Sequence, residues 1–169
     1  SNRTRLKQAV LRVLAYGQDK LGITHFDMMN GRIHIKLLKL LSIKNPLEYS
    51  EEMLKDIIVI LSYFMKESAT TLMEDFRKEE KSISWKKIIS ILKLFMSKNK
   101  EEEAKFAACR VFLLLVKNHY YDDLIFSDKE LFGYLIRTFQ DSNMNLKGII
   151  AKIIESYCQN EKDYTLKTK

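Results

Sequence analysis

The sequence predicts an all-α protein built as a stack of helical repeats, and three observations indicate this fold class. Glycine and proline are rare, at 5 and 1 in 169 residues, whereas average usage is about 7% and 5%. Apolar residues recur every three or four positions along most of the chain, as they do on the buried face of a helix. The same order of helical segments then returns after some tens of residues, which is typical of repeat proteins.

The first half of the chain predicts three main helices separated by clear stop signals. In order, the segments are a helix from Thr4 to Gly17, a short segment at 21–29, a helix from Arg32 to Lys44, a helix from Ser50 to about Ser68, and a weaker segment at 69–76. In the first helix, Leu6, Val10 and Leu14 recur at helical spacing. Gly17 and Pro46 favour the ends of their helices, and Ser50 is a suitable N-cap.

The second half repeats this order of elements. Its segments are a helix from Trp85 to Met96 capped by Ser84, a link at Ser97–Lys100, a helix from Glu101 to Asn118, a short segment at His119–Phe126, a helix from Asp128 to Phe139, and a helix from Met144 to Asn160. Residues 161–169 have no apolar period and predict a frayed tail. We therefore expect a single helical-repeat domain over residues 1–160.

The spacing of the long helices indicates a known type of repeat. They end near Ser68, Asn118 and Asn160, at intervals close to the 40–47 residues of armadillo and HEAT repeats. In helix order and apolar spacing the chain resembles an armadillo-type repeat array, most completely over His119–Asn160. The resemblance implies a right-handed stack of about three full repeats plus a partial N-terminal one. HEAT-like helix pairs, or an irregular helical domain of another family, are the alternatives.

The resemblance also bears on peptide binding. Armadillo arrays that bind extended peptides carry a groove-facing Asn on the third helix of each repeat. At the matching positions this chain has Phe64, Leu114 and Ser156, so the resemblance does not imply a peptide grip of the nuclear-import type. One turn earlier the residues are Ile60, Arg110 and Lys152. The resemblance implies that Arg110 and Lys152 face the groove.

Composition and cysteine usage indicate the setting of the protein. Apolar residues make up 46% of the chain, enough to bury a core. The longest apolar runs, such as Val111–Val116, are far shorter than the roughly 20 residues of a membrane span, and no signal peptide is visible. Cys109 and Cys158 fit small buried side chains, with a redox or metal role as the alternative. We expect an intracellular protein, cytoplasmic or nuclear, and a fragment of a longer chain because Met is not first.

The distribution of charge favours protein partners over nucleic acid. Lys and Arg number 29 against 22 Asp and Glu, for a net charge of +7, but the two signs interleave as on solvated helix faces. Arg110 and Lys117 are seven apart and share a helix face. With Lys152 they would form a short basic stripe that favours an acidic peptide or, less strongly, a nucleic-acid backbone. An ordinary solvated face is the alternative, and Glu103 lies on the same face.

Trp85 is a further candidate for partner binding. It begins a helix beside Lys86 and Lys87, and Trp is enriched at the energetic centres of protein interfaces. Packing between repeats is the alternative interpretation.

The sequence contains no motif that predicts catalysis. It has no Gly-rich phosphate loop, no nucleophile elbow, and neither a Cys-x-x-Cys nor a His-x-x-x-His pair. We therefore expect no enzymatic activity, cofactor, metal or small-molecule substrate. The leading hypothesis is a protein–protein interaction scaffold that binds a helical or acidic linear segment of a partner. The alternatives are nucleic-acid binding through the basic stripe and a regulatory docking domain of a larger enzyme.

Overall fold

The computed structural model describes residues 2–17, 22, 25–42, 50–67, 69–96, 101–119, 124–125, 130–140 and 143–168. Within these residues the main elements are α1 (Asn2–Tyr16), α2 (His25–Asn30), α3 (Ile33–Leu41), α4 (Glu51–Glu67), α5 (Ala69–Lys78), a 3₁₀ turn (Glu80–Ser82), α6 (Trp85–Phe95), α7 (Glu102–Lys117), α8 (Leu131–Gln140) and α9 (Met144–Thr168). No strand occurs in this part of the chain, so the all-α prediction is confirmed. No helix in these ranges combines the length and apolar character that spanning a membrane requires.

The chain divides into two compact units, Ser1–Ile88 and Ile89–Lys169, and the division falls within α6. The single domain predicted for residues 1–160 therefore contains two units. In the first, α1, α3 and α5 each pack against α4. In the second, α9 packs against both α7 and α8.

Several helix ends lie where the sequence places them, for identifiable reasons. Gly17 follows the last residue of α1, and its amide donates to the Val13 carbonyl at 2.7 Å. A Cβ at Gly17 would lie 2.9 Å from that carbonyl oxygen, so a larger residue would require a shift. The Ser50 hydroxyl accepts a hydrogen bond from the Met53 amide at 3.3 Å, which confirms the predicted cap of α4. The helix predicted from Arg32 to Lys44 ends at Leu41, and residues 43–49 lie outside the described ranges.

The end of α9 differs from the prediction. The sequence predicts a frayed tail from residue 161, but the backbone is helical through Thr168. No Gly or Pro occurs after Gly148, so the two residues that stop a helix most strongly are absent.

An aromatic cluster forms the core of the first unit. The ring of Trp85 lies 5.4 Å from that of Phe76, and His34 lies 5.8 Å from Phe64 and 6.5 Å from Phe76. All four side chains are buried. His34 Nε2 lies 2.8 Å from a carboxylate oxygen of Asp75, which satisfies one ring nitrogen in the apolar surroundings. These contacts join α3, α4, α5 and the start of α6.

An ion-pair cluster fixes how α1 lies on α4. Arg12 Nε donates to Asp56 at 3.0 Å, and Arg12 Nη2 donates to Glu52 at 2.8 Å. Asp56 is fully buried, and burial raises its pKa although Arg12 opposes that rise. The hydrogen bond from Arg12 lowers the pKa of the exposed Glu52. Arg12 therefore supplies the charge that lets Asp56 ionise in the core.

The face of α1 that is buried is not the apolar face that the sequence spacing predicts. The residues buried on α1 are Leu11 and Ala15, at 5% and 1% exposure. Leu6 and Val10, by contrast, are 67% and 49% exposed. The position of α1 in the sequence agrees with the prediction, but its apolar stripe is only partly buried in the unit.

The second unit is built on the pair α7 and α9. Small buried residues of α7, including Ala104, Ala107 and Ala108, allow a close approach to its neighbours. The buried face of α9 carries Leu146, Ile150, Ile153 and Tyr157. Asn143 caps α9, because its Oδ1 accepts from the Leu146 amide at 2.9 Å, while its Nδ2 donates to Glu102 at the start of α7.

Long-range side-chain hydrogen bonds in each unit join residues that are 40 to 47 positions apart. The pairs are Arg12 with Glu52 and Asp56, Arg32 with Glu79, His34 with Asp75, Ser42 with Ser84, Thr138 with Met96, and Asn143 with Glu102. The first five pairs lie in Ser1–Ile88, and the last two lie in Ile89–Lys169. Contacts therefore recur at a nearly constant separation in sequence.

Replacing Trp85 with Ala is expected to lower the free energy of unfolding by about 3–5 kcal/mol, because a large buried aromatic leaves a cavity. Leu94, which is 50% exposed on the same helix, provides the matched control. Leu94→Ala should change stability by no more than about 0.5 kcal/mol. Urea unfolding followed by circular dichroism measures both, and equal losses for the two variants would contradict the burial of Trp85.

Replacing Arg12 with Gln is expected to lower stability by about 1–3 kcal/mol at neutral pH, because it leaves the buried Asp56 carboxylate without its donor. The pKa of Asp56 is raised in the folded protein. Ionisation of this carboxyl therefore lowers the free energy of unfolding as the pH rises through the range above about 4. The penalty for losing Arg12 should therefore shrink on acidification, when Asp56 is protonated. Arg5→Gln, an exposed change on the same helix, is the control, and a penalty independent of pH would contradict the pairing.

Candidate partner-binding groove

The packing of α7 against α9 brings two of the predicted basic residues together. Lys117 is the last residue of α7, and Lys152 lies in the middle of α9. Burial of Ile150 and Ile153 on α9 leaves the face that carries Lys152 outward, because residues two apart point to different sides of a helix. Both lysines are exposed.

These lysines line one open groove, which we call the basic groove. Its lining residues are Lys117, Lys152, Glu155, Ser156 and Gln159, and its volume is about 470 Å³. Apart from Lys117, these side chains follow the spacing i, i+3, i+4, i+7 along α9, so they form one face of that helix. Sequence reasoning identified the two lysines but missed Glu155 and Gln159, although that spacing from Lys152 would have found them.

The groove offers a mixed set of polar groups, with positive charge in excess. Two ammonium groups stand against the single carboxylate of Glu155, while Ser156 and Gln159 supply neutral hydrogen-bonding groups. A lysine ammonium has three donors and no acceptor, so a carboxylate-bearing ligand can satisfy both lysines. Glu155 repels a second anion nearby, and the groove therefore suits separated negative charges better than a dense row of them.

Arg110 does not line the basic groove. It lies on α7 two turns before Lys117, and its guanidinium carbon is 4.5 Å from the centroid of the Phe106 ring. A cation over an aromatic face is stabilised there, which accounts for its partly buried position. The predicted stripe of three basic residues is thus two lysines in a groove and an arginine held against its own helix. Ile60, the matching position of the first unit, is buried.

Trp85 is not available to a partner. Its side chain is 1% exposed and packs against Phe76, so the proposal of Trp85 as a surface anchor is corrected in favour of the packing alternative. The reason is visible in the fold: the apolar face of α6 turns Trp85 toward α5, while Lys86 remains exposed.

Among the described residues, no group of three or more His, Cys, Asp or Glu side chains is arranged to hold a metal ion. No protein family matches the chain, and neither a curated protein nor a solved structure matches it. The side chains of the groove are therefore the basis for a functional assignment.

The two cysteines are expected to differ in reactivity, which provides a reporter for the groove. Burial raises the pKa of the Cys109 thiol to about 12, so it stays protonated and inaccessible. Cys158, one residue before Gln159, is exposed, so the prediction of a buried side chain is wrong for this residue. A maleimide fluorophore should label one thiol of the folded protein quickly. Cys158→Ser should abolish that labelling and Cys109→Ser should not; fast labelling of both thiols in the folded state would contradict the burial of Cys109.

Proposed function

We propose that the protein is a non-catalytic interaction scaffold of armadillo-type or HEAT-like repeats whose basic groove binds an acidic linear segment of a partner protein. The observation that carries this proposal is the meeting of Lys117 and Lys152, from two different helices, in one groove with polar side chains. Repeat proteins commonly use such surfaces between stacked helices for binding.

The recurring separation of polar contacts supports a repeat architecture. The separations of 40 to 47 residues in both units match the length of one armadillo or HEAT repeat. When repeats stack, a residue contacts its neighbour at an equivalent position of the next repeat, which lies one period further along the chain. The packing of α1 on α4 and of α7 on α9 would then join equivalent helices of successive repeats.

The chemistry of the groove favours a peptide over a nucleic acid. A nucleic-acid backbone presents closely spaced phosphates and binds through many lysines and arginines in parallel. Here Glu155 lies among the lining residues, and would repel one of those phosphates. An extended peptide can instead place two carboxylates beside the lysines and a neutral polar residue near Glu155, Ser156 and Gln159.

Reversing both lysine charges tests the proposal directly. The probe is a fluorescein-labelled peptide that alternates Asp or Glu with Ser, and its binding to the full chain is measured by fluorescence anisotropy. Lys117→Glu/Lys152→Glu should weaken binding at least about tenfold, because like charges across an interface repel. Glu155→Gln should strengthen binding about two- to fivefold by removing the opposing carboxylate.

A control pair separates the groove from the general charge of the protein. Lys78→Glu/Lys81→Glu changes exposed residues of the first unit and lowers the net charge equally, so binding should change by less than about twofold. Equal loss in both double variants would overturn the assignment to the groove. Tighter binding of a single-stranded oligonucleotide, with a steep dependence on salt, would favour the nucleic-acid alternative.

A further inference from the structure

The first unit, Ser1–Ile88, contains a groove whose lining is mainly apolar. One wall is formed by Leu6, Val10 and Leu14 of α1, the other by Leu37 and Leu40 of α3, and Met53 of α4 lies at its floor. We call it the apolar groove. Its volume is about 290 Å³, at the lower limit of roughly 300 Å³ for pockets that enclose a whole ligand. An open groove of this size suits a few inserted side chains.

The α1 wall exposes large apolar side chains along two turns of helix. Leu6 and Val10 are exposed and Leu14 is half-buried, although α1 packs against α4 through Leu11 and Ala15. Leu6 and Leu14 are eight residues apart, which is a rise of about 12 Å along the helix axis. Exposed apolar side chains beside a recess offer a surface that a partner can bury.

The charges on the two walls of the groove are of one sign. Helix α1 carries Arg3, Arg5, Lys7 and Arg12 and no acidic residue. Helix α3 carries Lys36 and Lys39 and no acidic residue. Arg12 and Lys39 contact carboxylates of their own unit. Lys7 and Lys36 lie among the lining residues of the groove, one on each wall.

We propose that the apolar groove binds an amphipathic helix of a partner protein, with an apolar stripe seated between α1 and α3 and acidic residues on its flanks. An apolar side chain every three or four positions of such a helix meets Leu6, Val10 and Leu14 in turn. Glu or Asp residues on either side of the stripe then lie opposite Lys7 and Lys36. This site is separate from the basic groove, since its residues all belong to Ser1–Ile88.

The charge of the walls selects this occupant over two others. A second copy of the chain that docked through the same groove would bring α1 and α3 against themselves, with basic residues facing basic residues. A membrane surface attracts basic helices, but it is flat on this scale and does not reach the buried Met53 at the floor. A helix with a protruding apolar stripe fills the recess, and its acidic flanks complement the basic walls.

The test uses a labelled synthetic helix of about 18 residues, long enough to be helical when bound, with Leu at positions i, i+3, i+4 and i+7 and Glu on both flanks. Its affinity for the full chain is measured by fluorescence anisotropy. Val10→Glu should weaken binding at least about tenfold, because it places a carboxylate on the groove wall. Val13→Glu is the matched control, since Val13 is equally exposed on α1 at 45% but does not line the groove, and it should change affinity less than about threefold.

Two charge exchanges test the acidic flanks. Lys36→Glu should weaken binding of the Glu-flanked helix and strengthen binding of a Lys-flanked helix with the same Leu stripe. Lys117→Glu/Lys152→Glu should leave binding of the Glu-flanked helix unchanged, which distinguishes this site from the basic groove. Circular dichroism of each variant establishes that it is folded before its affinity is compared.

Four outcomes would overturn the proposal. They are absence of binding by the Glu-flanked helix, equal loss in Val10→Glu and Val13→Glu, tighter binding of the Lys-flanked helix to the unmodified chain, and sedimentation of the unmodified chain as a dimer that Val10→Glu dissociates. The last would assign the groove to a second copy. If the first outcome is accompanied by binding to vesicles rich in phosphatidylserine, the groove is assigned to an anionic lipid surface.

Discussion

Two helices that are apolar around most of their circumference impose the main constraint on this protein. In α4, Ile57, Ile58, Ile60, Leu61 and Phe64 are all fully buried, and within residues 55–64 only Tyr63 is exposed. In α7, the buried residues likewise run around the helix from Ala104 to Val116. A helix of this type is stable only when neighbours cover it on several sides. The packing of α1, α3 and α5 on α4, and of α9 on α7, follows from that requirement.

Polar contacts then decide how the covering helices are rotated. Apolar packing alone is not directional, and α1 has apolar residues on more than one side. The buried Asp56 draws Arg12 onto α4, and that pairing turns Leu11 and Ala15 inward. Leu6 and Val10 are consequently left on the surface, where they form a wall of the apolar groove. A charge in the core thus determines which apolar surface remains outside.

The two grooves differ in the chemistry that they offer to a partner. The basic groove presents lysines, a carboxylate and neutral polar groups, which would select a ligand by charge and hydrogen bonding and make its affinity depend on salt. The apolar groove presents Leu, Val, Ile and Met side chains with a lysine on each wall, which would provide affinity by burial and orientation by charge. The apolar groove lies between helices that cover α4, and the basic groove lies between α9 and the helix α7 that it covers, so the packing that stabilises each unit also forms its groove.

Part of the candidate site follows from sequence spacing. Lys152 and its neighbours at i+3, i+4 and i+7 share a face because helical geometry is fixed. The distance between Arg110 and Lys117 likewise predicts a common face of α7. The spacing does not show which helix packs against each face. The meeting of Lys117 with Lys152, and the position of Arg110 over Phe106, depend on the packing of whole helices.

The sequence by itself determined the all-α class, the order of the main helices and several of their ends, because apolar period, Gly17 and the Ser50 cap act over a few residues. Only the tertiary structure decided that Trp85 belongs to the core and that the apolar stripe of α1 is largely exposed. The physical reason is that local periodicity shows only which residues lie on the same face of a helix. Whether that face is buried depends on contacts between residues some 40 positions apart, such as Arg12 and Asp56.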